Sequence, residues 1–172
     1  TYPLPEAQLD RFLLKVDVAH PTREVEKRLL QNVTRGFDAA RLEETGLEQI
    51  VRADDVVAMQ NALQQVRVTD DILDYITDIV ARTRTHRAVY LGASPRASIA
   101  LLVAGRARAA SEGRDFVIPD DIKTLAPAVL RHRLVLHPDA EFEGQSADDC
   151  VQNVLAEARV PKAASYVMSL ST

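Results

Sequence analysis

Four Asp-Asp pairs, at Asp54-Asp55, Asp70-Asp71, Asp120-Asp121 and Asp148-Asp149, each stand immediately before an apolar-periodic run, and they constrain the fold more than any other feature of the chain. Carboxylates in a first helical turn face unpaired N–H groups and the positive end of the helix dipole, a gain of about 0.3–1 kcal/mol each. Thr69 and Ser146, beside two of the pairs, are good N-caps. Paired acids also suit metal ligation or acid/base catalysis, but the same context repeated four times fits helix grammar better than a single site. Helices are therefore predicted over residues 54–65, 70–85 and 120–131, the last with a possible break at Pro127, and over residues 146–159, ending before Pro161.

One more helix belongs to this set. Ser94 is a natural N-cap, Pro95 suits the first helical position and Gly113 is a natural stop, which predicts a helix over residues 95–112. It is apolar nearly all round from Ile99 to Ala104, the pattern of a central, most buried helix with Leu102 in its interior. Between helices, Val66-Arg67-Val68 and Phe116-Val117-Ile118 are short β-branched pieces suited to a minimal two-stranded ladder. The expected fold class is mainly α, a helical bundle with a short β-ladder. With 47% hydrophobic but only 5% aromatic residues, no tryptophan and six glycines, the core is aliphatic and turn residues are too scarce for an all-β fold.

The first fifty residues read differently. Pro3 and Pro5 interrupt regular structure, residues 6–10 allow one short turn, and Phe12, Leu14, Val16 and Val18 alternate as in a strand over residues 12–18. His20-Pro21 ends the extended run, and residues 22–35 are predicted helical with Val25, Leu29, Leu30 and Val33 on one stripe and Gly36 as the stop. Residues 37–49 read as a loop around a short helical piece, and residues 162–172 as a docked or mobile tail without a period.

Chemistry has few candidates. His20, His86, His132 and His137 lack the helical spacing of a zinc site, and the lone Cys150 lies on an apolar helical face, where it is a small hydrophobe in a reducing compartment; no internal disulfide is possible. A net charge of −4 argues against a general nucleic-acid binder, because neutralising phosphates requires a basic surface. The longest apolar run, Ile99 to Ala104, is far short of the roughly 20 residues of a membrane span, and the cytoplasm is the default location. The arginines are more informative. Arg96 projects from a first helical turn, where a cation is disfavoured by the dipole, and an external anion explains it better than helix stability does. Arg11 follows an exposed turn, where it can reach a neighbouring subunit or pair with Asp10 or Glu6.

The stretches Leu4-Pro5-Glu6-Ala7-Gln8-Leu9-Asp10-Arg11-Phe12 and Gly92-Ala93-Ser94-Pro95-Arg96 closely resemble two motifs of the MoxR family of AAA+ ATPases. Leu125-Ala126-Pro127-Ala128-Val129-Leu130, followed by Arg131-His132-Arg133-Leu134-Val135-Leu136, is similar to the end of that family's lid, so the resemblance runs from Thr1 to about His137. It implies that Arg96 is a sensor-2 arginine on the terminal phosphates of its own subunit, with Ser94 and Pro95 shaping the binding turn, and that Arg11 is an arginine finger facing the ATP of the next subunit. It also implies a homo-oligomeric, hexameric ring using ATP and Mg2+ to remodel or mature client proteins, often ones with von Willebrand A domains. The chain departs from the family in having no Gly-x-x-x-x-Gly-Lys-Ser/Thr loop and no apolar strand ending in paired acids, so it reads as the C-terminal part of a longer ATPase. Residues 1–19 would end the α/β core and supply its last strand, residues 20–145 form the helical lid, and residues 146–172 the final helix and tail. The competing readings are a nucleotide-free helical adaptor for protein–protein interaction, and a DNA-binding module using Arg82, Arg84, Arg87, Arg106 and Arg108.

Overall fold

The computed structural model describes residues 4–162. Pro3 and the tail expected beyond Lys162 lie outside the described residues. The described residues divide into two compact units, one of residues 4–15 together with 60–162, the other of residues 16–59.

The larger unit is built on four helices, α4 (Asp70–Thr85), α5 (Pro95–Ser111), α6 (Pro119–Leu130) and α8 (Ala147–Glu157), with α5 packed on α4 and α6, and α8 closing over α4 and α6. All four Asp-Asp pairs stand in first helical turns, as the sequence predicts: Asp54 and Asp55 in α3 (Ala53–Ala62), the rest in α4, α6 and α8. The caps are more varied. Ser146 forms a full capping box, its Oγ accepting from the Asp149 N–H while the Asp149 carboxylate accepts from the Ser146 N–H. Thr69 has the extended N-cap backbone but its buried hydroxyl finds no partner among the described residues. At α6 the N-cap is Ile118, which has no side-chain acceptor, and Asp121 reaches back to its N–H instead.

Burial follows the helical period. Ile72, Tyr75, Ile76, Ile79, Val80 and Thr83 form the inner face of α4, Ile122, Ala126, Val129 and Leu130 that of α6, and Cys150, Val151, Val154 and Leu155 that of α8. Helix α6 runs unbroken through Pro127, so the possible break there does not occur. Helix α5 departs further from expectation. Its buried face is made of Ala97, Ala100, Leu101, Ala104, Gly105 and Ala109, while Ile99 and Val103 are 63% and 45% exposed and Leu102 is only partly buried. Small residues bring α5 close to α6: a Cβ on Gly105 would stand 2.7 Å from Ile122 Cδ1. The helix is central through its small face and Leu101, while Ile99 and Val103 are turned outward.

The expected ladder between residues 66–68 and 116–118 shrinks to one parallel bridge, Arg67 with Phe116. The ordered sheet lies elsewhere, as β1 (Val89–Leu91) antiparallel to β2 (Val135–Leu136), followed by the five-residue helix α7 (Pro138–Phe142), which has proline at its first position. Residues 12–18 form no strand. A strand needs a neighbour's N–H and C=O groups, and here the Lys15 N–H instead donates to the carbonyl of Ala128 at 2.8 Å. The turn expected over residues 6–10 is the single-turn helix α1 (Glu6–Leu9).

In the smaller unit, Thr22 caps α2 (Arg23–Thr34), which stops near Gly36. The short piece inside residues 37–49 is a 3-10 turn, Leu42–Thr45, ending at left-handed Gly46. The stripe of α2, Val25, Leu29, Leu30 and Val33, is half or more exposed.

Candidate functional site

The turn that begins α5 is fixed from below by α4. Gly92 passes so close to α4 that a Cβ there would lie 2.6 Å from Arg84 Cα, so no larger residue fits without displacing backbone. Ala93 is buried; its N–H donates to Thr83 Oγ1 at 3.0 Å and its carbonyl accepts from Arg84 Nε at 2.8 Å. Thr83, fully buried, donates its own hydroxyl to the carbonyl of Val80. With the turn held in this way, Ser94 adopts the extended N-cap conformation and its Oγ accepts from the Arg96 N–H at 3.2 Å; Pro95 takes the first helical position. Arg96 emerges exposed at the dipole-positive end of α5.

The motif from the chain's start is brought to the same place. Ser94 Oγ donates to Asp10 Oδ2 at 2.8 Å, and Arg133 Nε donates to Asp10 Oδ1 at 3.0 Å. The Arg133 side chain is 3% exposed and also donates to the carbonyls of Asp10, Phe12, Leu13 and Val129. Burial pulls its guanidinium down from the usual arginine range, and the Asp10 carboxylate opposes that shift. His132 bonds the Phe12 carbonyl through Nε2 at 3.0 Å, which makes Nε2 the protonated nitrogen and leaves the buried Nδ1 without a partner among the described residues. Its pKa is lowered, first by burial. The sequence reading places Arg131-His132-Arg133 at the end of the lid but misses the work of Arg133 and His132, because their partners lie about 120 positions away.

Arg11 and Arg96 line one shallow cavity of about 290 Å³ with Asp10, Leu13, Ile99, Ala100, Val103 and Arg133. Both are exposed, and neither forms an ion pair with a described residue. The alternative pairing of Arg11 with Asp10 or Glu6 is not what forms: Asp10 is committed to Arg133 and Ser94. Two unneutralised guanidinium groups at a helix N-terminus, with apolar Leu13, Ile99 and Val103 beside them, suit a multiply charged anion such as a phosphate chain. Among the described residues no group of three or more His, Cys, Asp or Glu is placed to hold a metal ion.

Other candidates are occupied with structure. Arg82 pairs with Asp78 at 2.9 Å and approaches Glu157 at 3.6 Å, Arg84 serves Ala93, and Arg108 stands 3.6 Å from Asp121, so three of the five arginines considered for DNA are engaged within the chain. His86 Nδ1 accepts from the Ala88 N–H. Asp121 is bound in bidentate fashion by Arg114, at 2.6 and 2.8 Å, which accounts for one of the paired acids structurally. Cys150 is fully buried, and burial raises its thiol pKa. No helix among the described residues is long and apolar enough to cross a membrane.

Comparison with known proteins adds to this geometry. Residues 81–154 match the sequence model of the AAA lid domain. The chain is 44% identical over 97% of its length to the uncharacterized protein YeaC of Bacillus subtilis and 35% identical over 94% of its length to chaperone MoxR1 of Mycobacterium tuberculosis, covering 51% and 43% of those relatives. The crystal structure of a putative ATPase from Cytophaga hutchinsonii superposes with a TM-score of 0.83 at 32% identity, over 94% of this chain and 50% of that one. The chain thus spans about half the length of the relatives it matches.

Proposed function

We propose, from the premise that this chain is the lid-bearing part of a MoxR-family AAA+ ATPase, that its arginine pair reads the phosphates of ATP and couples hydrolysis to assembly. In this reading residues 1–19 close the nucleotide-binding core, residues 20–145 form the lid and residues 146–172 add the helix and tail that follow it. The single observation that carries the phosphate reading is that Arg11 and Arg96 stand exposed and unneutralised beside one cavity. Phosphoryl transfer accumulates negative charge on the transferred group, and an arginine set against it is worth about 10³–10⁵ in rate. Arg96 acts as sensor 2 on the terminal phosphates of its own subunit, from a turn that Ser94 and Pro95 hold in place. Arg11 acts as the arginine finger toward the neighbouring subunit. When bound, ATP with Mg2+ supplies the phosphoryl group, held chiefly by a phosphate loop outside these residues.

The assembly is a homo-oligomeric, hexameric ring in the cytoplasm, and its work is chaperone-like remodelling or maturation of client proteins, including ones with von Willebrand A domains. The chaperone name of the Mycobacterium tuberculosis relative supports this direction.

The shared cavity also favours a second reading, in which both arginines meet the phosphates of one nucleotide at the subunit boundary. Mixing experiments separate the two. In the full-length ATPase, Arg11→Ala mixed with a variant whose phosphate loop is disabled should recover activity, because some interfaces join an intact arginine to an intact nucleotide site. Arg96→Ala mixed with the same partner should stay inactive if Arg96 works in its own subunit and recover if it works across the boundary. Mixed rings in which Arg11→Ala shows no recovery exclude a finger role.

A further inference from the structure

We infer that Asp10 and Arg133 are positioning residues that lock Arg11 to the head of α5, so that Arg11 and Arg96 move as one body; the inference rests on the phosphate reading of both arginines. A guanidinium carries five N–H donors in a rigid planar fork. Arg133 directs this fork at one short stretch, the Asp10 carboxylate and the carbonyls of Asp10, Phe12 and Leu13, while the carbonyl of Val129 anchors it to α6. Asp10 turns its other carboxylate oxygen to Ser94, whose hydroxyl oxygen in turn accepts the N–H of Arg96. A continuous path of hydrogen bonds therefore runs from Arg133 through Asp10 and Ser94 to the backbone of Arg96, and Arg11 is the next residue after Asp10. Beyond Arg11 the segment is tied again, by His132 to Phe12 and by the Lys15 N–H to Ala128. A buried ion pair contributes little net stability once desolvation is counted, but it is well suited to fixing one geometry. What it fixes here is the spacing between two cationic heads. Although Arg11 belongs to the segment that closes the core, these bonds tie it to the lid, so a rotation of the lid in response to phosphate at Arg96 carries Arg11 with it.

Hydrogen exchange on the chain tests the lock, and turnover tests its purpose. Arg133→Gln, and the milder Asp10→Asn, which keeps the side-chain volume at a partly buried position, should speed exchange of the Lys15 amide at least about tenfold while the amides of α4 and α5 keep their protection. In the full-length ATPase, Asp10→Asn should lower kcat with little change in KM for ATP, and the double variant Asp10→Asn with Arg11→Ala should lose no more than Arg11→Ala alone. Arg133→Lys, which keeps the charge but not the fork, should fail to restore either measure. Unchanged Lys15 exchange in both variants overturns the lock. Losses in kcat that multiply in the double variant also overturn it, because Asp10 would then serve something other than Arg11. Normal turnover in Arg11→Ala would instead sink the phosphate reading, and the exchange result would still decide whether the two segments are locked.

Discussion

Gly92 shows how a single residue commits a motif to one structure. Its missing Cβ lets the turn lie against the α4 backbone, and Gly92→Ala would place a carbon 2.6 Å from Arg84 Cα. Overpacking of this kind costs about 1–3 kcal/mol, and urea unfolding of the variant should show a lower midpoint with an unchanged slope. His132 supports a second prediction at this scale. Its pKa in the folded chain lies below the ordinary histidine value because burial disfavours the cation; Asp10, Arg133 and Lys15 are the charged groups that act on it. A depressed folded value means that the unfolded chain binds the proton first. The contribution is complete above the unfolded value of about 6.5 and is lost as pH falls from there through the folded value. Stability measured by denaturant between pH 7 and 5 should therefore fall with acid, and His132→Gln should flatten that slope. Neither Gly92 nor His132 reveals its role in sequence alone, since each depends on a neighbour that only the folded chain supplies.

Among the elements, α5 separates what a hydrophobic pattern shows from what it conceals. The run from Ile99 to Ala104 correctly marks a central helix, but four of the six buried residues of α5 are alanines and a fifth is glycine, so close approach decides which face turns inward. Leu101, fully buried, should lose about 2–5 kcal/mol on substitution by alanine. Leu102→Ala should lose distinctly less, because Leu102 only packs against the edge of the core. Thermal unfolding of both variants checks the order, and a reversed order would contradict the assigned face. The helix starts were legible because the Asp-Asp pairs and Ser94-Pro95 act within one turn. The sheet of β1 and β2 was not: strands of three and two residues are too short to show alternation, and their pairing spans more than forty positions. The strand pattern of residues 12–18 is present in the sequence, but a strand also requires a partner edge, and none pairs with it among the described residues. Of the site, Arg96 stood out in the sequence by its position against the dipole and Arg11 by the exposed turn before it, whereas Arg133, which bonds the segment that carries Arg11, did not.

At the scale of the whole molecule, the chain holds arginines that suit phosphate but no phosphate-loop sequence. The purified chain should therefore show no Mg2+-dependent ATP turnover, and measurable hydrolysis by it would contradict the assignment to a lid. Its far-UV spectrum should be dominated by helix.

The bonds that Thr83 and Arg84 make to Ala93 come wholly from within the chain and hold the turn without an anion's help. Backbone ordering is usually a large part of the entropy lost when a loop closes on a ligand, and at this turn the folding of α4 and α5 has already met it. On the proposed phosphate role, only the side-chain rotamers of Arg96 and Arg11 remain to be ordered, about 0.5–1.5 kcal/mol for each. With the backbone of the turn fixed by the fold, the proposed role leaves affinity to how the charged heads and their water shells rearrange, and leaves discrimination between one phosphate state and another to lid motion instead of folding of the loop.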